Sequence, residues 1–332
     1  MQSNWIRQMI LAVFFLGTAF NITYWAIAKY DFKNDMKTAV TDASRYLKMS
    51  HGDFSGVERR YARRVMVPSL VLFLRNQFPV SRFIPGEYVD IAAKMDQLYF
   101  GIINILALAG TAFLLSRFCQ QLGCSPLEGV IAGLIFLTSF FVVTYYTVPL
   151  VDALTAFCLM GCYYALLRRR LLWLSLFFLI GILTKEAIFL ILFAIVLDQR
   201  KLCSAPLFVC LPWVIFYFGF FYTSAADAHD VTFFFSNLRQ LLAGGLAAFR
   251  PFALIEALEV FMAVWFLAIY ALRKCPVPDF IRRQQWILVF PFVFPFFVGE
   301  ASLGRIAFYV FPIMIFLAVL ALRDILESET GR

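Results

Sequence analysis

Apolar runs of membrane-crossing length recur along this chain and constrain its fold more than any other feature. By apolar length, residues 9–28, 98–118, 129–147, 150–167, 205–222, 251–272, 286–298 and 306–322 read as candidate spans. A further run, 171–197, is interrupted at Thr184-Lys185-Glu186. Its two halves hold about a dozen residues each, whereas a helix needs about 20 to cross a bilayer. Hydrophobic residues make up 62% of the 332 positions. A soluble core uses roughly half, so the surplus has to face lipid. The expected fold is an all-α polytopic bundle, a single integral membrane domain over 1–332, with about eight full spans plus a broken helical hairpin.

The first apolar run ends in Ala26-Ile27-Ala28, which looks like a signal-peptidase site. The run is long enough to span, and it carries Asn21 and the bulky Trp25 beside the scissile position. A retained anchor is expected.

Basic residues orient the bundle. Arg7, Arg117, Arg168-Arg169-Arg170, Arg200-Lys201, Arg273-Lys274, Arg282-Arg283 and Arg323 fall on one side only if the interrupted run enters and returns. That side reads as the cytoplasm, which places both termini there and predicts a hairpin with Lys185-Glu186 near its apex. The loop 29–97 then faces outward despite Lys29, Lys33, Lys37, Arg45, Lys48, Arg59, Arg60, Arg63, Arg64, Arg75, Arg82 and Lys94. An outward basic loop has to serve something other than topology. Within it, 65–78 is apolar but short and contains Pro68, which predicts an interfacial helix.

Several function classes drop out. The net charge of +8 serves topology and lipid headgroups here, so nucleic-acid binding is not expected. Seven cysteines, mostly in or beside apolar runs, make poor material for a disulfide framework. His51 and His229 are the two histidines, and no His, Cys and carboxylate spacing makes a metal site. Walker A, Gly-x-Gly-x-x-Gly and Gly-x-Ser-x-Gly patterns are missing from the sequence.

The outer loop carries the candidate chemistry. In Thr41-Asp42-Ala43-Ser44-Arg45-Tyr46, Asp42, Arg45 and Tyr46 share one face of a helix at i, i+3 and i+4. A carboxylate among cations outside a bilayer suits proton removal from an acceptor beside a lipid-borne phosphate. A solvated amphipathic helix with an Asp–Arg pair accounts for the same spacing. Lys185 and Glu186 at membrane depth mark a functional site or the bracing of a broken helix. Arg59-Arg60 and Arg63-Arg64 recur at i, i+4 and suit an anionic headgroup. Arg305 opens the last run, where it suits either a lipid phosphate or interfacial snorkelling. Asp227 and Asp230 sit in the later outer loop as acceptor-binding candidates.

Residues 41–49 resemble the Asp-Glu-x-x-Tyr type of motif in the first outer loop of C-type (GT-C) glycosyltransferases, the superfamily of protein O-mannosyltransferases and lipid A aminoarabinose transferases. The long first outer loop, Asp152 at the start of a helix, the Lys185-Glu186 interruption and Glu300 to Arg305 before the last helix extend that resemblance. It implies an inverting transferase of the bacterial inner membrane that uses a polyprenyl-phosphate sugar and a periplasmic glycan, lipid or protein acceptor. Asp42 takes the place of the base; Arg45, Tyr46, Arg63, Arg64, Asp152, Lys185, Glu186 and Arg305 take substrate or phosphate roles. Ala43 stands where many members carry a second acid, which weakens a divalent-metal role and leaves Asp31 and Asp35 as rival bases. The alternative class is a transporter or flippase for a lipid-linked or anionic substrate, with Lys185-Glu186 on its pathway.

Overall fold

The computed structural model describes residues 2–29, 42–57, 59–79, 91–199, 204–223, 246, 250–293 and 303–329. Every regular element among them is helical. Two helices contain stretches long and apolar enough to cross a membrane, Trp5–Ala26 and Gln97–Gln121. The bent pair Leu254–Phe261 and Ala263–Lys274 makes a third if it is counted as one span.

The first of these lies in α1 (Gln2–Lys29), whose Trp5, Ile10, Val13, Phe20 and Trp25 side chains are exposed. The loop that follows carries α2 (Asp42–Ser50), α3 (Arg59–Ala62) and α4 (Met66–Gln77). Pro68 lies in the first turn of α4, where the missing N–H costs no helical bond, and Val67 and Val71 bury one face at i, i+4. Arg75 donates to the Ser50 carbonyl at the end of α2, which holds α4 against α2.

The long α5 (Ile91–Gln121) leads into α6 (Pro126–Leu137), which opens with a capping box between Ser125 and Glu128. The expected span 129–147 does not form as one helix. Thr138 and Ser139 hydroxyls bond back to the Leu134 and Phe136 carbonyls, competing with the backbone ladder as mid-helix hydroxyls do. The chain resumes as a π-helical turn, Val142–Tyr146.

Two helices form the centre. In α7 (Asp152–Leu167) all but a few side chains are buried. In α16 (Phe311–Glu329) every residue from Phe311 to Ala321 is buried, so an apolar run without polarity to one side occupies the interior. Phe308 packs against Phe311 at the start of α16 and against Phe136, Phe141, Tyr146 and Phe261, with ring centres 5.3–6.0 Å apart.

The interrupted run forms α8 (Leu171–Ile182), a 3₁₀ turn (Glu186–Phe189) and α9 (Leu190–Gln199). The run folds back on itself: Arg169, just ahead of α8, pairs with Asp198 near the end of α9 at 3.1 Å. Gly181 permits the close approach at the apex, because a Cβ there would sit 2.6 Å from Ile188 Cγ1. α10 (Ala205–Thr223) packs against α8.

Later expected spans are shorter than their apolar length. The 251–272 run breaks into α11 (Pro251–Phe261) and α12 (Ala263–Lys274), bent by 78° at Met262. Met262 has φ 42°, a left-handed conformation uncommon for a side chain of this size. The Trp265 indole bridges the bend to the Ala257 carbonyl at 3.1 Å. After α13 (Asp279–Gln284), the 286–298 run gives a 3₁₀ turn (Gln285–Val289) and α14 (Phe290–Val293), its remainder lying outside the described residues. The last run is α15 (Leu303–Phe308) followed by α16, with Pro312 in the first turn, where a continuous helix would lose a hydrogen bond.

Candidate functional site

The break between α8 and the 3₁₀ turn frees backbone groups that need new partners. The Leu183 carbonyl accepts the Met66 amide at 3.1 Å, joining the start of α4 to the break. Lys185 itself is extended, with φ −165° and ψ 143°. Consecutive side chains of extended backbone point to opposite sides, and Lys185 and Glu186 accordingly serve two different polar groups.

Lys185 Nζ donates to Asp152 Oδ1 at 2.7 Å, and the Tyr309 hydroxyl donates to the same oxygen at 2.8 Å. Asp152 is 3% exposed in its side chain and Lys185 12%, so this ion pair is largely dry. The carboxylate also opens α7, where the helix dipole favours negative charge. Glu186 accepts Arg64 Nε at 3.0 Å through Oε2 and the Tyr217 hydroxyl at 3.2 Å through Oε1.

Arg64 links this half to the loop helices by donating through Nη1 to the Tyr46 hydroxyl at 2.9 Å. Burial alone would weaken the Arg64 charge, but Glu186 and Tyr46 beside it hold its pKa above the ordinary value. Burial raises the Tyr46 phenol, partly offset by Arg64. The phenol is therefore neutral at physiological pH, and among the described residues its own proton makes no hydrogen bond. Tyr61, almost fully buried, lies edge-on to Tyr46 with ring centres 5.9 Å apart. The Arg45 and Arg64 guanidinium carbons lie 4.2 and 5.2 Å from its centre, so one ring positions two cations. Arg45 Nη1 lies 3.4 Å from Asp42 Oδ1.

The expected residues thus fall into two polar clusters that meet at the helix break, Asp42, Arg45, Tyr46, Arg64 and Glu186 in one and Asp152 and Lys185 in the other. Arg63 is partly buried, and its charge reaches the Tyr217 phenol. Among the described residues, the cations Arg45, Arg64 and Lys185 pair with the carboxylates of Asp42, Glu186 and Asp152. Arg305 falls in α15 and Arg59 and Arg60 in α3, but their side chains lie outside the described residues, as do Asp31, Asp35, Asp227, His229, Asp230 and Glu300 altogether. Among the described residues no group of three or more His, Cys, Asp or Glu is placed to hold a metal ion.

Sequence reasoning missed Tyr61, Tyr217 and Tyr309. Tyr61 sits inside the basic run 59–64, where an aromatic between arginines was a usable signal. Tyr217 and Tyr309 lie in apolar, aromatic-rich stretches, and nothing local separates them from core residues.

An apolar groove of about 540 Å³ runs between α1 and the π-helical turn, lined by Asn21, Ile22, Trp25, Val143, Thr144 and Val148. Asn104 of α5 donates from Nδ2 to the Val148 backbone carbonyl at 2.7 Å, fixing the groove wall four residues ahead of Asp152. Comparison of the chain with protein-family models, curated proteins and solved structures finds no match in any of the three.

Proposed function

We propose that the chain is a GT-C-like inverting glycosyltransferase that moves a sugar from a polyprenyl-phosphate carrier to a hydroxyl acceptor outside the bacterial inner membrane. About eight spans and the broken hairpin embed it, with both termini cytoplasmic and the loop 29–97 periplasmic. The observation that supports this reading is the junction at Arg64, which connects Tyr46 of the carboxylate-bearing loop helix α2 to the Glu186 carboxylate of the helix break.

In this reading Asp42 takes the acceptor proton as the acceptor oxygen bonds to the anomeric carbon. The bond from that carbon to the phosphate oxygen breaks, and its electron pair leaves with polyprenyl phosphate. Arg45, Arg63, Arg64 and Arg305 offset the charge that develops on the leaving group. Neutral Tyr46 adds a hydrogen-bond donor, and Lys185, Asp152 and Glu186 brace the helix break. The groove beside Val148 suits an apolar carrier chain, being apolar and close in sequence to Asp152.

The test is purified full chain with a panel of polyprenyl-phosphate sugars and release of free polyprenyl phosphate as readout. Asp42→Asn is expected to lower turnover by about 100-fold or more, the scale of a general base, without changing the folded yield. If Asp42→Asn keeps its turnover while Asp31→Asn or Asp35→Asn loses it, the base is misassigned.

One observation favours the transporter reading. The 78° break at Met262 gives the chain a second interrupted helix in its later half, as substrate pathways in transporters often have. Substrate-dependent uptake into proteoliposomes without sugar transfer would establish that reading instead.

A further inference from the structure

A polar cavity lies where the end of α9 meets α13. Asp198 has no exposed side-chain surface and is held by Arg283 through Nε at 3.2 Å and Nη2 at 2.9 Å, and by Arg169 at 3.1 Å. Arg169 adopts φ 53°, a left-handed conformation that costs free energy for a side-chain-bearing residue, at the turn that carries it to Asp198. The 16-residue α7 separates this end from Asp152, about 24 Å at 1.5 Å per residue.

A cavity of about 350 Å³ opens here, lined by Asp198, Gln199, Asp279, Arg282 and Arg283. Its charged groups differ in how far they are committed. Asp198 is saturated by two guanidinium groups and the Gln199 side-chain amide. Arg283 spends one edge on Asp198 and keeps further N–H donors. The side chains of Arg282 and Asp279 are exposed, and among the described residues neither makes a hydrogen bond or ion pair. An open pair of opposite charges on one cavity wall matches a ligand that carries both signs.

We propose that this cavity binds the headgroup of a zwitterionic phospholipid, with the phosphate on Arg282 and Arg283 and a primary ammonium on Asp279, as phosphatidylethanolamine presents them. An arginine fork suits phosphate oxygens, and an ammonium with N–H donors suits a free carboxylate as a quaternary one does not. The inference is independent of the transferase reading, since it uses none of that site's residues.

The experiment is native mass spectrometry of the purified full chain with added phosphatidylethanolamine, phosphatidylcholine, phosphatidylglycerol, phosphoethanolamine or inorganic phosphate. Phosphatidylethanolamine should bind more tightly than the other two lipids. Arg282→Gln, which breaks no contact, should weaken it about tenfold, the loss of one charge-assisted hydrogen bond. Asp279→Asn should abolish the preference over phosphatidylglycerol. Equal binding of phosphatidylcholine and phosphatidylethanolamine, or an unchanged Arg282→Gln, would overturn the proposal. Inorganic phosphate or phosphoethanolamine displacing the lipid at equal concentration would overturn the lipid source and leave a soluble phosphate site.

Discussion

Lys185 and Asp152 pair at 2.7 Å with both side chains largely buried, and that geometry decides how substitutions there behave. Removing one partner leaves a buried charge uncompensated, at a cost of about 3–5 kcal/mol. Lys185→Met alone should therefore lower the thermal midpoint of the purified protein sharply. The double variant Lys185→Met with Asp152→Asn should recover much of that loss, because no ion is then stranded. A fully additive double variant would mean that the two groups do not share their desolvation. Tyr61 makes a different prediction. If its ring face positions Arg45 and Arg64, Tyr61→Phe should leave donor KM nearly unchanged, whereas Tyr61→Leu should raise it by about 3- to 30-fold, the range expected from a cation–π contact. Phe and Leu variants with equal donor KM would reduce Tyr61 to packing. These residues were unequally legible. Asp42 stood out by its spacing to Arg45 and Tyr46, and Lys185 and Glu186 because charge inside an apolar run is expensive without a purpose. The tyrosines did not, since each looks like the many aromatics around it until a charged partner is seen.

At the scale of elements, the helix break is the most informative. Lys185 interrupts the run, but Gly181 lets the apex close, since Ile188 occupies the space where a Cβ would stand. Gly181→Ala should destabilise by about 1–3 kcal/mol through overpacking. Ile188→Ala removes both side-chain atoms nearest that space, so the pair should be markedly less harmful than the sum of the singles when midpoints are compared. Additivity would show that the apex relaxes in some other way. Breaks at Thr138, Met262 and Tyr309 were not foreseen, because hydropathy windows register apolar length and are blind to backbone geometry. Signals were present: adjacent hydroxyls at Thr138-Ser139, and Pro312 just inside a long apolar run.

For the whole molecule, Arg169 and Asp198 meet at one end of the interrupted run, and the orientation proposed for the bundle rests on the basic loops lying on a single side. Both termini should then be cytoplasmic and Ser55 periplasmic. In intact spheroplasts, Ser55→Cys should react with an impermeant thiol reagent above the background of the native cysteines. Labelling that appears only after lysis would invert the topology. By itself the sequence determined that the chain is helical and apolar enough to enter a membrane, that one run is broken by charge, and that the first long loop gathers cations. Those are consequences of composition and local order, since burying this much apolar surface leaves few alternatives to helices in lipid. Only the tertiary structure decided that Arg64 lies between Tyr46 and Glu186, that Tyr309 and Lys185 share one oxygen of Asp152, and that Arg169 and Arg283 converge on Asp198. Those contacts join residues 18 to 157 positions apart, and no periodicity within a helix can encode which distant side chains the packing of helices will bring together.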